Sequence, residues 1–241
     1  MKVLSWDVGI YNLSYCILEK NETTNEIKII DWDIVNLVDN EEMKKNRPLL
    51  FENIPRKLHE KPQLLNVDLV VIENQPSLKN PQMKSIQMIL YSYFIILGKV
   101  IGNGENTTGY ISKIDFCSAS NKLKVYDGPP IILEEKVSKR KKKVVEEIIN
   151  ETNNEATNVD TSNVNATNNV VMNEIITVPK KKSSSVKYAD KKRLAIEHAR
   201  YYVQQNPDYI DFFNNHKKKD DLADSFLQGL YYINNIKNIK K

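Results

Sequence analysis

Cysteine is almost missing from this 241-residue chain: Cys16 and Cys117 are the only two. A lone distant pair makes no disulfide framework and no zinc-ligand spacing, and a reducing compartment is the default reading. Glycine is also scarce, at seven residues, which leaves little scope for repeated Gly-rich phosphate loops. The opening MKVLSWDVG has no apolar signal-peptide core. The most apolar stretch, MILYSYFIIL (88–97), is too short to span a bilayer and reads as a buried helix. Charge of one sign is not in large excess. The net +4 permits nucleic acid binding without demanding it. What remains is ordinary for a soluble globular protein: 41% hydrophobic and 27% charged residues, and enough length for one good-sized core. An intracellular protein without a membrane partner is expected.

The pattern along the chain predicts a mixed α/β sheet with helices on its faces. Residues 2–7, 12–20 and 26–37 read as three strands, with Gly9 permitting a tight turn between the first two; their close spacing predicts an antiparallel meander. A helix is expected at about 48–62, with Pro48 in its first turn. DLVVIE (68–73) is a continuous apolar run, as in a central strand buried on both faces. Asn80-Pro81 opens a long helix to about 103, and 109–119 is a fifth strand. From about 134 to 185 the pattern breaks into a basic run, SKRKKKV, an Asn/Thr-rich tract and PKKKSSS. This composition cannot bury enough apolar area to fold alone and predicts a disordered insertion within a single domain spanning 1–241. Helical patterning resumes at 188–204 and again at about 220–235.

Four acids stand out: Asp7, Glu73, Asp221 and Asp224. Asp7 ends an apolar strand next to Gly9, where a loop-capping role is the plain alternative. Glu73 ends the unbroken run DLVVI and is harder to explain that way, because acids are rarely buried unless paired or bound to metal. Asp221 and Asp224 are three apart on one helix face, near its start, where the dipole alone favours carboxylates. Asp220 reads as the N-cap and is turned about 100° from Asp221, away from the site. Together the four form the acid set expected of an RNase H-like nuclease, with two Mg²⁺ ions held by hard oxygen ligands and a phosphodiester as substrate.

DVGIYNLSYCILE, VVIENQP, SASNKLKVYDG and KKDDLADSFLQGL resemble the Holliday junction resolvases of poxviruses and related large DNA viruses, a family related to bacterial RuvC and to mitochondrial cruciform-cutting resolvases. The resemblance covers about 1–130 and 186–235. It implies an RNase H-like fold with a five-stranded mixed sheet, a homodimer, Mg²⁺ with Mn²⁺ as substitute, and paired symmetric nicking of four-way DNA junctions in viral recombination and concatemer resolution. The implied setting is the cytoplasmic viral replication site, with the nucleus as the alternative. The metal-binding and catalytic acids carry over as Asp7, Glu73, Asp221 and Asp224. The family's active-site lysine maps to Lys122, with Lys124 as the competing choice and a solvated loop lysine as the plain reading. The long Asn-rich insertion departs from the family.

Basic residues offer a DNA surface: Lys122, Lys124 and the run Lys217, Lys218, Lys219 beside the acids. Phosphate contacts would give salt-dependent affinity without sequence reading. The runs Lys139–Lys143 and Lys180–Lys182 read first as solubilising charge; Lys191, Lys192 and Arg193 begin a helix. Tyr11 and Tyr15 could stack on unpaired bases, with core packing preferred for Tyr15. The long helix has a wider apolar stripe than one sheet face obviously needs, which raises the question of a twofold dimer. Two other classes stay in view: another RNase H-like nuclease, acting on RNA–DNA hybrids or as a transposase, and a junction-binding protein without turnover. The first segment also resembles the phosphate-binding opening of actin-like ATPases, against which the low glycine count and room for one core both weigh.

Overall fold

The computed structural model describes residues 1–78, 80–101, 111–133 and 188–239, with 237–239 described by backbone alone. Residues Met1–Ile131 and Tyr188–Lys241 make one compact unit. Ile132–Lys187 group apart from it, and all but Ile132 and Leu133 lie outside the described residues, as therefore do the expected insertion and its two lysine runs.

A five-stranded sheet has the order β3-β2-β1-β4-β5. Its strands are β1 (Lys2–Val8), β2 (Asn12–Lys20), β3 (Ile27–Asn36), β4 (Leu69–Glu73) and β5 (Lys113–Cys117). The first three form the expected antiparallel meander. A Cβ at Gly9 would collide with the Asn12 carbonyl oxygen, so the β1–β2 turn requires glycine there. β4 and β5 add in parallel, with Trp6 opposite Ile72 and Glu73 opposite Cys117. Every residue of β4 is buried, as its apolar run requires of a central strand.

Strand periodicity divides the core in two. Leu4, Trp6, Val8, Tyr15, Val70 and Ile72 point to one face. That face is covered by α2 (Arg47–His59) and α3 (Pro81–Phe94, continued as a wider π turn over Ile95–Ile101). Val3, Cys16, Leu18, Leu69 and Val71 point to the other. There they meet α4 (Tyr188–Val203), α5 (Pro207–Asn215) and α6 (Lys219–Ile239). A short α1 (Glu41–Lys45) precedes α2. The sequence pattern missed α1 and α5. The helix expected at 48–62 begins at Arg47, capped by Asn46 with Pro48 in its first turn, and ends at His59. The apolar stretch 88–97 is part of a 21-residue helix, Pro81–Ile101, long and apolar enough by length and composition to cross a membrane. One side of that helix is core, through Ile86, Leu90 and Phe94.

α6 lies against the sheet through a seam of small and polar residues. Ser225 shares a hydrogen bond with Ser14 at 2.8 Å, and Gln228 Nε2 donates to Ser5 Oγ at 3.1 Å and to the Trp6 carbonyl at 3.0 Å. Trp32 Nε1 donates to the Leu222 carbonyl at 3.1 Å. A Cβ at Gly229 would stand 3.0 Å from Ser5 Cβ and 3.1 Å from Leu18 Cδ1. Apolar packing alone tolerates sliding; directional bonds fix the position of α6 along the strands. Gly229→Val should therefore destabilise the fold by about 1–3 kcal/mol through overpacking, read as a lowered midpoint in thermal unfolding.

Candidate active site

Asp7 and Glu73 share a face because each is an even step along its strand from a residue of the second core. Val3, Ser5 and Asp7 alternate on β1; Leu69, Val71 and Glu73 alternate on β4. The parallel register that sets Trp6 opposite Ile72 makes Asp7 and Glu73 neighbours at the carboxyl ends of adjoining strands. Clefts of open α/β sheets form at such ends. One strand further out, β5 ends at Cys117 and the chain turns into a 3₁₀ segment, Ala119–Val125, capped by Ser118. This segment carries Lys122 back over the strand ends. Tyr202 of α4 secures the segment's exit, its hydroxyl donating to the Val125 carbonyl at 2.8 Å. α6 brings the remaining acids from above.

The Lys122 ammonium sits at the centre. Its Nζ is 2.7 Å from Asp7 Oδ1, 3.2 Å from Glu73 Oε1 and 3.1 Å from Asp224 Oδ2. The residue is only 4% exposed. Burial alone would lower its pKa, but the three carboxylates more than offset that, and the net shift is upward. The acids move the other way from a simple salt bridge. Burial, then the charge on Asp7, pushes Glu73 up to about 8. Burial raises Asp224 to about 6, against the opposing pull of Lys122. One cation does not neutralise this much buried negative charge.

The four acids are not equivalent. Asp221 is not a partner of Lys122; it pairs with Lys218 Nζ at 3.9 Å, and burial, then the charges on Asp220 and Asp7, raise its pKa. Asp224 lies in the second turn of α6 rather than the first, since the helix starts at Lys219. Asp220 is inside the helix, not its cap, and its carboxylate binds Lys192 at 2.5 Å. That ion pair ties the start of α4 to the start of α6.

The sequence left Lys122 and Lys124 open as the active-site lysine. Lys122 is the one among the acids; Lys124 turns outward to Asn121 Oδ1 at 2.8 Å. Lys122 is therefore no free DNA contact: it is buried and triply paired. Lys217 and Lys218 are exposed and Lys218 reaches Asp221, while Lys219 Nζ donates to the His216 carbonyl at 3.0 Å. Tyr15 is core, its hydroxyl donating to Asp31 at 2.8 Å, and Tyr11 is exposed. The sequence reading missed Gln75 and Gln87, both buried. Gln75 Nε2 donates to Glu73 Oε2 at 2.8 Å, and the Gln75 backbone N–H donates to Gln87 Oε1 at 2.9 Å. Gln75 stands in the same short segment as Glu73, so its place beside that acid was available from the sequence; no signal marked Gln87.

Whether these residues suit a divalent cation can be judged from the donors. Among the described residues, no three His, Cys, Asp or Glu side chains are placed to hold a metal ion as they stand. The reason is visible: the ammonium occupies the point on which Asp7, Glu73 and Asp224 converge. It is a stand-in cation, and the hard oxygen donors around it, with Asp221 alongside, are those Mg²⁺ prefers. The residues fit.

No family model matches the chain. An uncharacterised protein of Acanthamoeba polyphaga mimivirus is 30% identical over 172 residues, which is 70% of this chain and 30% of that protein. The chain thus spans about a third of the length of the curated relative it matches. Among solved structures, the fowlpox virus resolvase in complex with Holliday junction DNA is 18% identical, with a TM-score of 0.52 over 98% of this chain and 99% of that one. The yeast mitochondrial Holliday junction resolvase is 16% identical, with a TM-score of 0.52 over 99% of this chain and 81% of its own. At these identities the likeness is one of fold: the chain has the RNase H-like fold of the resolvases.

The pKa shifts carry a sign. Glu73 at about 8 and Asp224 at about 6 hold protons in the folded protein that the unfolded chain has released by then, so stability falls as pH rises through that window. In EDTA the unfolding midpoint should drop between pH 5 and pH 8, and Mg²⁺ should reduce the drop. A midpoint that rises with pH would contradict the placement of these acids.

Proposed function

We propose that this chain is a metal-dependent endonuclease that resolves four-way DNA junctions by paired, symmetric nicks. One observation carries the reading: in a resolvase fold, Asp7, Glu73, Asp224 and, beside them, Asp221 gather at the carboxyl ends of β1 and β4 with more buried negative charge than Lys122 balances. The fowlpox and yeast proteins of the same fold are junction resolvases, and the mimivirus relative supports a viral setting.

In this reading Asp7, Glu73, Asp221 and Asp224 hold Mg²⁺, with Mn²⁺ as substitute. Cations held there would supply a water of lowered pKa and offset charge on the phosphodiester. Asp7, between Glu73 and the helix acids, is placed to serve both sides of the cluster. Lys122 holds the carboxylates together in the metal-free protein; displaced from that point by a bound cation, its ammonium would be free to meet charge on the scissile phosphate. Lys217 and Lys218, both exposed, contact backbone phosphates and position the junction arm without reading its sequence.

Two strands at a junction's centre need two sites, and a homodimer on α3 would supply them. Ser85, Met88, Ser92, Ile96 and Val100 follow one exposed helical stripe on the Pro81–Ile101 helix. Met88, Ser92 and Ile96 of this stripe, with Pro55 and His59 of α2, border a groove of about 1070 Å³. Ile96→Glu should convert a dimer to a monomer in sedimentation velocity, with the far-UV spectrum unchanged; a wild-type monomer at assay concentrations would remove this part of the proposal.

The deciding experiment compares wild type and Glu73→Gln on a mobile synthetic four-way junction in Mg²⁺. Paired symmetric nicks by the wild type and none by the variant are expected. Cutting of an RNA–DNA hybrid in place of the junction would move the protein to another RNase H-like branch. Tight junction binding with no cutting in Mg²⁺ or Mn²⁺ would leave a binding protein.

A further inference from the structure

The fully buried Gln87 is a poor choice for the inner side of an apolar helix. Its neighbours there, Ile86, Leu90 and Phe94, are core residues. The side chain's Oε1 accepts two hydrogen bonds, from the Gln75 backbone N–H at 2.9 Å and from Lys84 Nζ at 3.1 Å. Both partners are donors, so the amide orientation is determined: the oxygen must face them. That leaves Gln87 Nε2 buried without a hydrogen-bond partner among the described residues. A leucine or methionine would fill the same space without stranding a donor. The position is explained by what Gln87 holds.

It holds Gln75. With its backbone fixed by α3, the buried Gln75 side chain reaches back to Glu73 and donates from Nε2 to Oε2 at 2.8 Å. Lys84 Nζ also reaches Asn74 Oδ1 at 3.3 Å, so α3 grips the segment after β4 at two adjacent residues. The two oxygens of Glu73 thereby have different partners: Oε2 accepts from Gln75 and Oε1 faces the Lys122 ammonium at 3.2 Å, with the Asp7 carboxyl beside the same group.

We propose that Gln75 and Gln87 form a positioning relay that fixes the rotation of the Glu73 carboxylate, so that Oε1 alone is presented to a bound divalent cation. Neither glutamine touches substrate; both act through Glu73. The relay rests on the metal-site reading above and deepens it. Groups that orient a ligand in this way typically alter metal affinity by about 10–100-fold when removed.

The test is calorimetric titration of Mn²⁺ into DNA-free protein, comparing wild type with Gln75→Leu and Gln87→Met, with unfolding midpoints in EDTA and junction binding in EDTA as controls. Gln75→Leu should weaken Mn²⁺ binding at least about tenfold and Gln87→Met should weaken it in the same direction, while both variants stay folded and bind the junction like wild type. Gln87→Met keeps the helix's apolar packing and carries the test if Gln75→Leu does not fold. Wild-type Mn²⁺ affinity in either folded variant overturns the relay and leaves the nuclease reading standing. A wild-type protein that binds no Mn²⁺ overturns the metal site itself, and the relay with it.

Discussion

Everything around the site answers to one electrostatic constraint: carboxylates withdrawn from water repel one another, and a single ammonium cannot neutralise them all. Lys122 lies within 3.2 Å of Asp7, Glu73 and Asp224, yet Glu73 and Asp224 still shift upward. Such an arrangement survives only if the surrounding scaffold forces it, because side chains left to themselves would turn to solvent. The scaffold has three members. Parallel pairing of β1 with β4 sets Asp7 beside Glu73, the 3₁₀ turn after β5 returns Lys122 over the strand ends, and α6 brings Asp224 down from the other side. Loss of any one would release the others.

The two faces of the sheet solve different problems. On the α2–α3 face, Trp6, Tyr15 and Phe94 fill space, and large apolar side chains supply most of the burial energy. On the α6 face, Ser5, Ser14, Ser225 and Gln228 replace bulk with directional bonds. That exchange stabilises less per residue and leaves Gln228 Oε1 buried without a partner among the described residues, but it defines where along the strands the helix stops. A shift of one residue, about 1.5 Å of rise and about 100° of rotation, would turn Asp224 away from Lys122. Precision at the site thus rests on the polar seam, while apolar cores on both faces carry the bulk of the burial.

These two kinds of packing also explain what the sequence could reveal. Continuous or alternating apolar runs write strands plainly, so β2 and β4 emerged with nearly their observed bounds, and Glu73 stood out as an acid after DLVVI. The parallel register that makes Asp7 its neighbour is a tertiary fact and left no local mark. Asp221 and Asp224 looked equal because a three-residue spacing puts both on one helix face; the docking of α6 separates them, turning Asp224 to Lys122 and leaving Asp221 toward Lys218. Lys124 stayed a competitor to Lys122 because a 3₁₀ turn has no extended hydrophobic period to show which side faces inward. α1 and α5 are too short for a strong periodic signal. Gln87 reads as one more polar residue in an amphipathic helix, and only its hydrogen bonds show that it belongs to the strand-end segment.

α3 connects these levels. Its inner side contributes Ile86, Leu90 and Phe94 to the core, Gln87 and Lys84 hold the residues that follow Glu73, and its outer stripe carries Met88, Ile96 and Val100. If two copies meet on the outer stripe, the contact that sets the separation of the two sites lies on the same helix that aims Glu73 within each. A twofold axis through such a contact relates the two carboxylate clusters as well as the two subunits. If the chain nicks two strands symmetrically as proposed, placing both functions on one element would keep the geometry within a site and the geometry between sites from drifting apart.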